Sequence, residues 1–93
     1  MKVRYTETAL RELDEILSQI AADNPLSADE VATVLQVTIR RLSDYPRLAI
    51  ETDDPLVRVT PALPYRYLVF YEADDDTIII RNIRHSARQR PLS

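Results

Sequence analysis

The sequence predicts an α+β domain in which one strand and a helical hairpin precede three further strands, in the order βααβββ. Two observations lead to this prediction. In the first half of the chain apolar residues recur every three or four positions, which is typical of amphipathic helices. In the second half they alternate with polar residues or occupy both faces, as in the strands of a small antiparallel sheet.

The first half contains one strand and two helices. Residues Lys2–Tyr5 alternate between apolar and polar, and Thr6 is the expected N-cap of the helix that follows. Ser27 and Glu30 have the spacing of a capping box and predict the start of a second helix, with Pro25 at or just before its first turn. Tyr45-Pro46 ends it, because a residue before proline is pushed out of the helical region. Two helices with so short a link should form an antiparallel hairpin.

The second half contains the sheet. Leu48–Ile50 is a candidate edge segment and Leu56–Thr60 is the next candidate strand. Tyr65–Glu72 is the clearest strand, and the acidic turn Asp74–Asp76 leads from it into Thr77–Arg84. Both of these last strands carry apolar residues on both faces, so both should lie centrally in the sheet.

Strict alternation also assigns faces within the last strand. It places Ile79 and Ile83 together on one face, and Ile78 and Ile80 on the other. The two helices are expected to cover only one of these faces.

Composition excludes several classes of protein. A chain of 93 residues predicts one domain, residues 1–93, and residues 88–93 are expected to form a flexible tail. It has no cysteine, one histidine and no glycine, which excludes disulfide scaffolds, histidine-rich zinc sites and glycine-rich phosphate loops. We therefore expect no metal and no cofactor. The acidic turn is expected to be solvated.

Charge is unevenly distributed along the chain. The net charge is −3, with −7 over residues 1–76 and +4 over residues 77–93. A basic C-terminal segment is consistent with an anionic partner, although arginines at such a place can also serve solubility alone. The acidic total argues against sequence-specific nucleic-acid binding. No apolar run is long enough for a membrane span, and a cytoplasmic location is expected.

Arg66, His85 and Arg88 are the candidate catalytic residues. If the two central strands pair, Arg66 would lie near His85, and a guanidinium beside an imidazole could support phosphoryl transfer. The alternative is that Arg66 forms an ion pair and His85 ends a strand. No second acid–base group accompanies them, so the prediction leans against enzyme activity.

Two segments resemble the RelE/ParE toxin superfamily: a Tyr-Arg strand over Tyr65–Tyr71 and a strand with the ending Ile-x-His-x-x-Arg over Ile80–Arg88. Tyr45-Pro46, at the end of the helical hairpin, fits the same pattern. The matching positions are Tyr65, Arg66, Phe70, Tyr71, Ile83, His85 and Arg88. The resemblance covers nearly the whole chain and implies the toxin of a type II toxin–antitoxin pair.

The resemblance leaves three functions open. A RelE-like toxin cleaves mRNA on the ribosome with a set of basic residues and often a late tyrosine. Here Arg66 matches one arginine of that set, Ser86 stands where another would fall, and no tyrosine follows Tyr71. The chain therefore looks more like the ParE branch, which inhibits DNA gyrase. The third possibility is an inactive module that only binds its antitoxin.

The resemblance also implies the partners. A ParD-like antitoxin with a disordered C-terminal tail is expected to form a hetero-oligomer with the chain, its tail lying on the helical hairpin and along the sheet edge. The predicted antitoxin-binding residues are Leu13, Leu17, Val34, Leu35, Arg66, Arg81 and Arg84. The predicted target-binding residues, facing gyrase, are Arg84, His85, Arg88 and Arg90.

Overall fold

A computed structural model describes residues 1–47 and 50–86 of the chain. Its elements are β1 (Lys2–Tyr5), α1 (Glu7–Asp23), α2 (Pro25–Asp44), β2 (Ile50–Glu51), β3 (Arg58–Pro61), β4 (Tyr67–Ala73) and β5 (Thr77–His85). The five strands form one sheet in the order β1-β5-β4-β3-β2. The predicted edge segment overlaps with β2, which begins at Ile50. Residues 48 and 49, and the predicted tail at 88–93, lie outside the described residues.

The predicted α+β fold class is confirmed, and one strand pair adds a feature that the prediction did not contain. Strands β2 to β5 form an antiparallel meander, but β1 pairs with β5 in parallel, with Lys2 opposite Thr77 and Tyr5 opposite Ile80. The reason is the path of the chain. Successive elements reverse direction from β1 through the helical hairpin to β5, so the first and seventh elements run the same way.

Both helices begin at side-chain caps. The Thr6 hydroxyl accepts a 3.0 Å hydrogen bond from the first turn of α1, as predicted. Ser27 does not cap α2, but Pro25 lies in its first turn as predicted. Asn24 caps this helix, accepting hydrogen bonds from the main-chain nitrogens of Leu26 (3.1 Å) and Ser27 (3.2 Å). Pro25 occupies the first helical position, where its missing N–H costs nothing, so the helix starts before Ser27.

A β-bulge interrupts β5. Tyr71 of β4 pairs with Ile80, whereas its neighbour Phe70 pairs with Asn82. Arg81 is therefore the additional residue on β5. An additional residue shifts the alternation of side chains beyond it and increases the local twist.

The bulge corrects the predicted faces of β5. Ile80 and Ile83, which are three positions apart, are both buried in the core, at 0% and 1% exposure. Ile79, which strict alternation placed with Ile83, is only half-buried. A sequence pattern of period two cannot include a bulge, because nothing in the alternation marks the extra residue.

The core lies between the helical hairpin and one face of the sheet. Its buried members are Ala9, Val31, Leu35, Ile39, Leu42, Ala62, Val69, Tyr71, Ile78, Ile80 and Ile83. The Tyr71 hydroxyl donates a 2.7 Å hydrogen bond to the carbonyl of Pro46, which joins the loop after α2 to the central strand. A buried tyrosine needs such a partner, and this one holds the end of the hairpin against the sheet.

Candidate partner and target surfaces

The C-terminal part of β5 extends beyond its neighbour β1, whose pairing ends where Tyr5 meets Ile80. Thr6 closes this junction. Its main-chain nitrogen donates to the Ile80 carbonyl (3.0 Å), and its hydroxyl donates to the Arg81 carbonyl (2.9 Å). From there to His85, the edge of β5 that faces α1 has no strand partner within the described part of the chain.

Glu12 of α1 occupies that edge instead of a strand. One carboxylate oxygen accepts hydrogen bonds from the Ile83 main-chain nitrogen (3.0 Å) and the Asn82 side-chain amide (3.1 Å). The other oxygen lies 3.4 Å from the Arg84 Nε. This role of Glu12 could not be predicted from the sequence, because its partners lie about 70 positions away in the chain.

The pairing of the two central strands puts Tyr67 opposite His85, so Arg66 lies beside the end of β5 as predicted. The His85 ring lies edge-on to Tyr67 with centroids 5.2 Å apart, so these two side chains share a face of the sheet. Arg66 precedes β4 in a bend, and its side chain is exposed. The contact of Arg66 with this strand is through its main chain, whose carbonyl accepts a 2.6 Å hydrogen bond from Ser86. Arg88, the third candidate, lies outside the described residues.

The face of the sheet away from the helices carries two of the predicted arginines. Arg84 lies over Phe70, with its guanidinium carbon 5.9 Å from the ring centroid, and Arg81 forms an ion pair with Glu72. Both arginine side chains remain more than 40% exposed. This surface is therefore a half-buried apolar strand face bordered by accessible guanidinium groups. Arg90, like Arg88, is beyond the described part of the chain.

The predicted apolar contacts for an antitoxin divide into two groups. Leu13, Leu17 and Val34 are half-buried at the border of the core, where each retains some accessible surface. Leu35 is different, since only 2% of it is exposed. The prediction that Leu35 contacts a partner is corrected here: its helix turns it into the domain interior, where it packs against the sheet.

Sequence reasoning missed a groove between α2 and residues 60–65, which we call the α2 groove. It consists of two adjoining cavities of about 240 and 430 Å³, which share Thr33 and Val34. Val37, Tyr45 and Leu63 line the first cavity and are 46%, 57% and 72% exposed. One feature of the sequence could have indicated this groove. The apolar stripe on α2 is wider than the face that the helix buries against the sheet.

The acidic turn has local partners. The Asp74 carboxylate accepts a 3.0 Å hydrogen bond from the Asp75 main chain, and Asp76 accepts one of 2.9 Å from the Thr77 hydroxyl. Within residues 1–47 and 50–86, no group of three histidine, aspartate or glutamate side chains is arranged to hold a metal ion. No helix in the same residues has both the length and the apolar character needed to cross a bilayer.

Comparisons with known proteins agree with this architecture. The family model described as "ParE toxin of type II toxin-antitoxin system, parDE" matches residues 3–90. A structure entitled "Chromosomal ParDE TA system from P. aeruginosa" superposes with a TM-score of 0.77 at 18% identity, covering 91% of this chain and 95% of that one. The solution structure of the conserved hypothetical protein HP0894 from Helicobacter pylori gives 0.57 at 14% identity, covering 94% and 96%. No curated protein matches the sequence.

A helical hairpin packed on one face of a small five-stranded sheet is the fold that this chain shares with both solved structures. Since the family model covers most of the sequence, the chain belongs to the ParE toxin family of type II toxin–antitoxin systems.

Proposed function

We propose that this toxin acts in the cytoplasm by binding and inhibiting DNA gyrase, and that a ParD-like antitoxin neutralises it by forming a hetero-oligomer. Membership of the ParE family supports the proposal. The single observation that carries it is the edge-on packing of the His85 ring against Tyr67, because an imidazole held against a tyrosine ring favours inhibition by binding over proton transfer.

Ribonuclease activity would require a different arrangement. Phosphoryl transfer is catalysed by cations and proton donors that converge on one phosphate. Here the His85 ring is packed edge-on against Tyr67, and Arg66 lies exposed in the bend before β4. Ser86, at the position where the ribonuclease branch has an arginine, contributes a main-chain hydrogen bond to Arg66 instead of a charge.

The end of β5 is the proposed surface for gyrase. Arg84 is exposed and held from two sides, by Glu12 and by the Phe70 ring, so its guanidinium is ordered before any partner binds. Such preorganisation reduces the entropy cost of an interface. His85 lies next to it, and Arg88 and Arg90 follow in the sequence and are proposed to extend the same basic surface.

The antitoxin is proposed to cover apolar surface that the toxin exposes. Half-buried Leu13, Leu17 and Val34 offer apolar contacts, and Arg66, Arg81 and Arg84 offer charge-assisted hydrogen bonds to an acidic segment. A disordered tail can reach both sets because it folds only on binding.

Two parallel assays test the proposal. Purified toxin is added to gyrase, with supercoiling and DNA cleavage as readouts, and separately to translating ribosomes, with mRNA cleavage as readout. We expect inhibition of gyrase and intact mRNA. Cleaved mRNA would support the RelE-like alternative, and no effect in either assay would support an inactive antitoxin-binding module.

Variants locate the gyrase surface. Arg84→Ala should weaken gyrase inhibition at least about tenfold, because an ordered exposed arginine is a typical hot-spot residue. Arg40→Ala is the matched control, since Arg40 is exposed on α2, far along the chain from β5. Removing residues 88–93 should likewise weaken inhibition while leaving antitoxin binding intact. Equal potency of all three variants would contradict the proposed surface.

A further inference from the structure

We propose that the toxin binds duplex DNA through its phosphate backbone, without regard to sequence, on the face of the sheet away from the helices. The part of this face formed by β1, β4 and β5 is called the outer face. The proposal goes beyond inhibition of gyrase and does not require it, because DNA binding is measured with no gyrase present.

Alternation places the basic side chains of β1 on the outer face. Val3 packs against the core, so its neighbours Lys2 and Arg4 point to the other side of the sheet, and both are exposed. Lys2 lies opposite Thr77 and Arg4 lies opposite Ile79. The N-terminal strand thus adds two cations beside the arginines of β5.

The charge of the outer face is opposite to that of the whole protein. The charged residues of β1, β4 and β5 are Lys2, Arg4, Glu72, Arg81 and Arg84, which give this face a net charge of +3 with histidine neutral. The protein as a whole carries −3. The side chains of Arg81 and Arg84 remain 43% and 47% exposed, although each contacts a carboxylate. Such segregation directs an anionic partner to one face.

The cations follow the direction of the strands. Lys2 lies opposite Thr77, and Arg84 lies at the other end of β5, which at ~3.3 Å per residue is at most ~23 Å away. Each strand of duplex DNA has one phosphate per ~3.4 Å of helix axis, so about seven phosphates span the same length. The line of cations is therefore long enough to contact several phosphates of one DNA strand.

The shape of the outer face restricts these contacts to the backbone. The major groove admits a helix or a two-stranded ribbon, and a sheet of five strands is too broad to enter it. Phosphate contacts carry no sequence information by themselves. The proposal therefore agrees with the expectation, drawn from the acidic composition, that the chain does not bind a specific sequence.

The aromatic residues favour a duplex over a single strand. Proteins that bind single strands stack the bases on accessible aromatic rings. In β1, β4 and β5, Tyr5, Tyr67 and Tyr71 lie on the core side of the sheet, which leaves Phe70 on the outer face. The Arg84 guanidinium lies over the Phe70 ring, 5.9 Å from its centroid. A duplex keeps its own bases stacked and needs only the cations.

Fluorescence anisotropy with a labelled duplex of about 20 base pairs and arbitrary sequence tests the proposal. At about 50 mM salt we expect a dissociation constant on the order of 10⁻⁵ M. The logarithm of the association constant should fall against the logarithm of the salt concentration with a slope of about −3, since each neutralised phosphate contributes about −0.9. A dissociation constant above about 10⁻³ M, or a slope near zero, would overturn the proposal.

Charge reversals locate the surface. Lys2→Glu and Arg4→Glu should each weaken binding at least about tenfold and make the salt slope shallower by about 1. Arg11→Glu and Arg40→Glu are the matched controls, because both residues are exposed on the helices and the change in net charge is the same. They should change affinity by no more than about threefold. Equal losses in the controls would overturn the outer face as the binding surface.

A milder variant guards against an effect of folding. Arg4→Gln keeps the length of the side chain without its charge, and it should make the salt slope shallower by about 1 while thermal unfolding stays unchanged. An unchanged slope would contradict a phosphate contact at Arg4.

Competitors test the choice of duplex DNA. Single-stranded RNA with the same number of phosphates, and a glutamate-rich peptide with the same charge, should displace the labelled duplex less well than unlabelled duplex does. Equal or better displacement by either competitor would overturn the assignment. A toxin that binds DNA through this face but does not inhibit gyrase would refute the proposed target while supporting the outer face.

Discussion

The carboxylate of Glu12 accepts a 3.0 Å hydrogen bond from the main-chain nitrogen of Ile83, on an edge of β5 that has no strand partner among the described residues. A helix side chain thereby accepts the main-chain hydrogen bond that a neighbouring strand would otherwise accept. It also contacts Asn82 and Arg84, so three groups at the end of β5 depend on one residue of α1.

Removal of this carboxylate should destabilise the toxin. Glu12→Ala leaves the Ile83 N–H without its partner in a partly buried place, and we expect a loss of about 1–3 kcal/mol in the free energy of unfolding. Glu12→Gln retains an acceptor oxygen and should lose less. Denaturant titration measures both. Glu15→Ala, an exposed residue of the same helix, is the control and should stay within about 0.5 kcal/mol of the parent. An equal loss for Glu15→Ala would contradict the role given to Glu12.

Thr6 should contribute more to the free energy of unfolding than its neighbour Thr8. Its hydroxyl accepts from the first turn of α1 and donates to the Arg81 carbonyl, so Thr6→Ala removes a helix cap and a contact with β5 together. We expect a loss of about 1–2 kcal/mol in unfolding free energy. Thr8→Ala, exposed within the first turn, should be nearly neutral. Thermal unfolding compares them, and similar midpoints for the two variants would count against the cap.

The bulge predicts an uneven response along β5. Ile80→Val and Ile83→Val each remove a buried methylene and should lower the free energy of unfolding by about 0.5–1.5 kcal/mol. Ile79→Val, on the half-buried outer face, should lower the free energy of unfolding by a smaller amount. Had β5 kept strict alternation, Ile79 and Ile83 would respond alike, so matching losses at these two positions would refute the bulge.

Tyr65 should make stability sensitive to alkaline pH. Its hydroxyl donates a 3.0 Å hydrogen bond to the Glu30 carboxylate, and this bond raises the pKa of Tyr65 above its ordinary value of 10.0. A raised pKa in the folded state means that the stabilisation is complete below pH 10 and disappears as pH rises through the folded pKa. Stability of the parent should therefore fall more steeply above pH 10 than that of Tyr65→Phe. Glu30→Gln should flatten the curve similarly, and identical slopes for all three proteins would exclude this linkage.

Local patterns were sufficient to predict the helices and the order of elements. The spacing of apolar residues predicted α1 and α2, and the proline at position 46 predicted the end of the hairpin. The position of Thr6 before the first helical turn predicted its role as a cap. These features depend on neighbours within a few residues, where sequence and geometry are closely coupled.

Features that depend on distant residues could not be predicted in the same way. The bulge at Arg81 depends on how β4 and β5 pair, and the packing of His85 on Tyr67 depends on the register of the same two strands. Leu35 and Val34 are adjacent in one apolar stripe, yet only the packing of α2 on the sheet decides that the first is core and the second borders a groove. The sequence therefore located candidate residues at the end of the last strand, whereas their side-chain contacts depend on the tertiary structure.

The parallel pairing of β1 with β5 has a consequence for biosynthesis. Strand β1 is synthesised first, but it can join the sheet only after β5 has been synthesised, since β5 lies between β1 and the rest of the meander. A nascent chain that stops short of residue 77 has neither its central strand nor a partner for its N-terminus. Such long-range closure slows folding, and a translation product that stops before residue 77 lacks both this framework and Arg84 itself. Completion of the sheet is thus tied to synthesis of nearly the whole polypeptide.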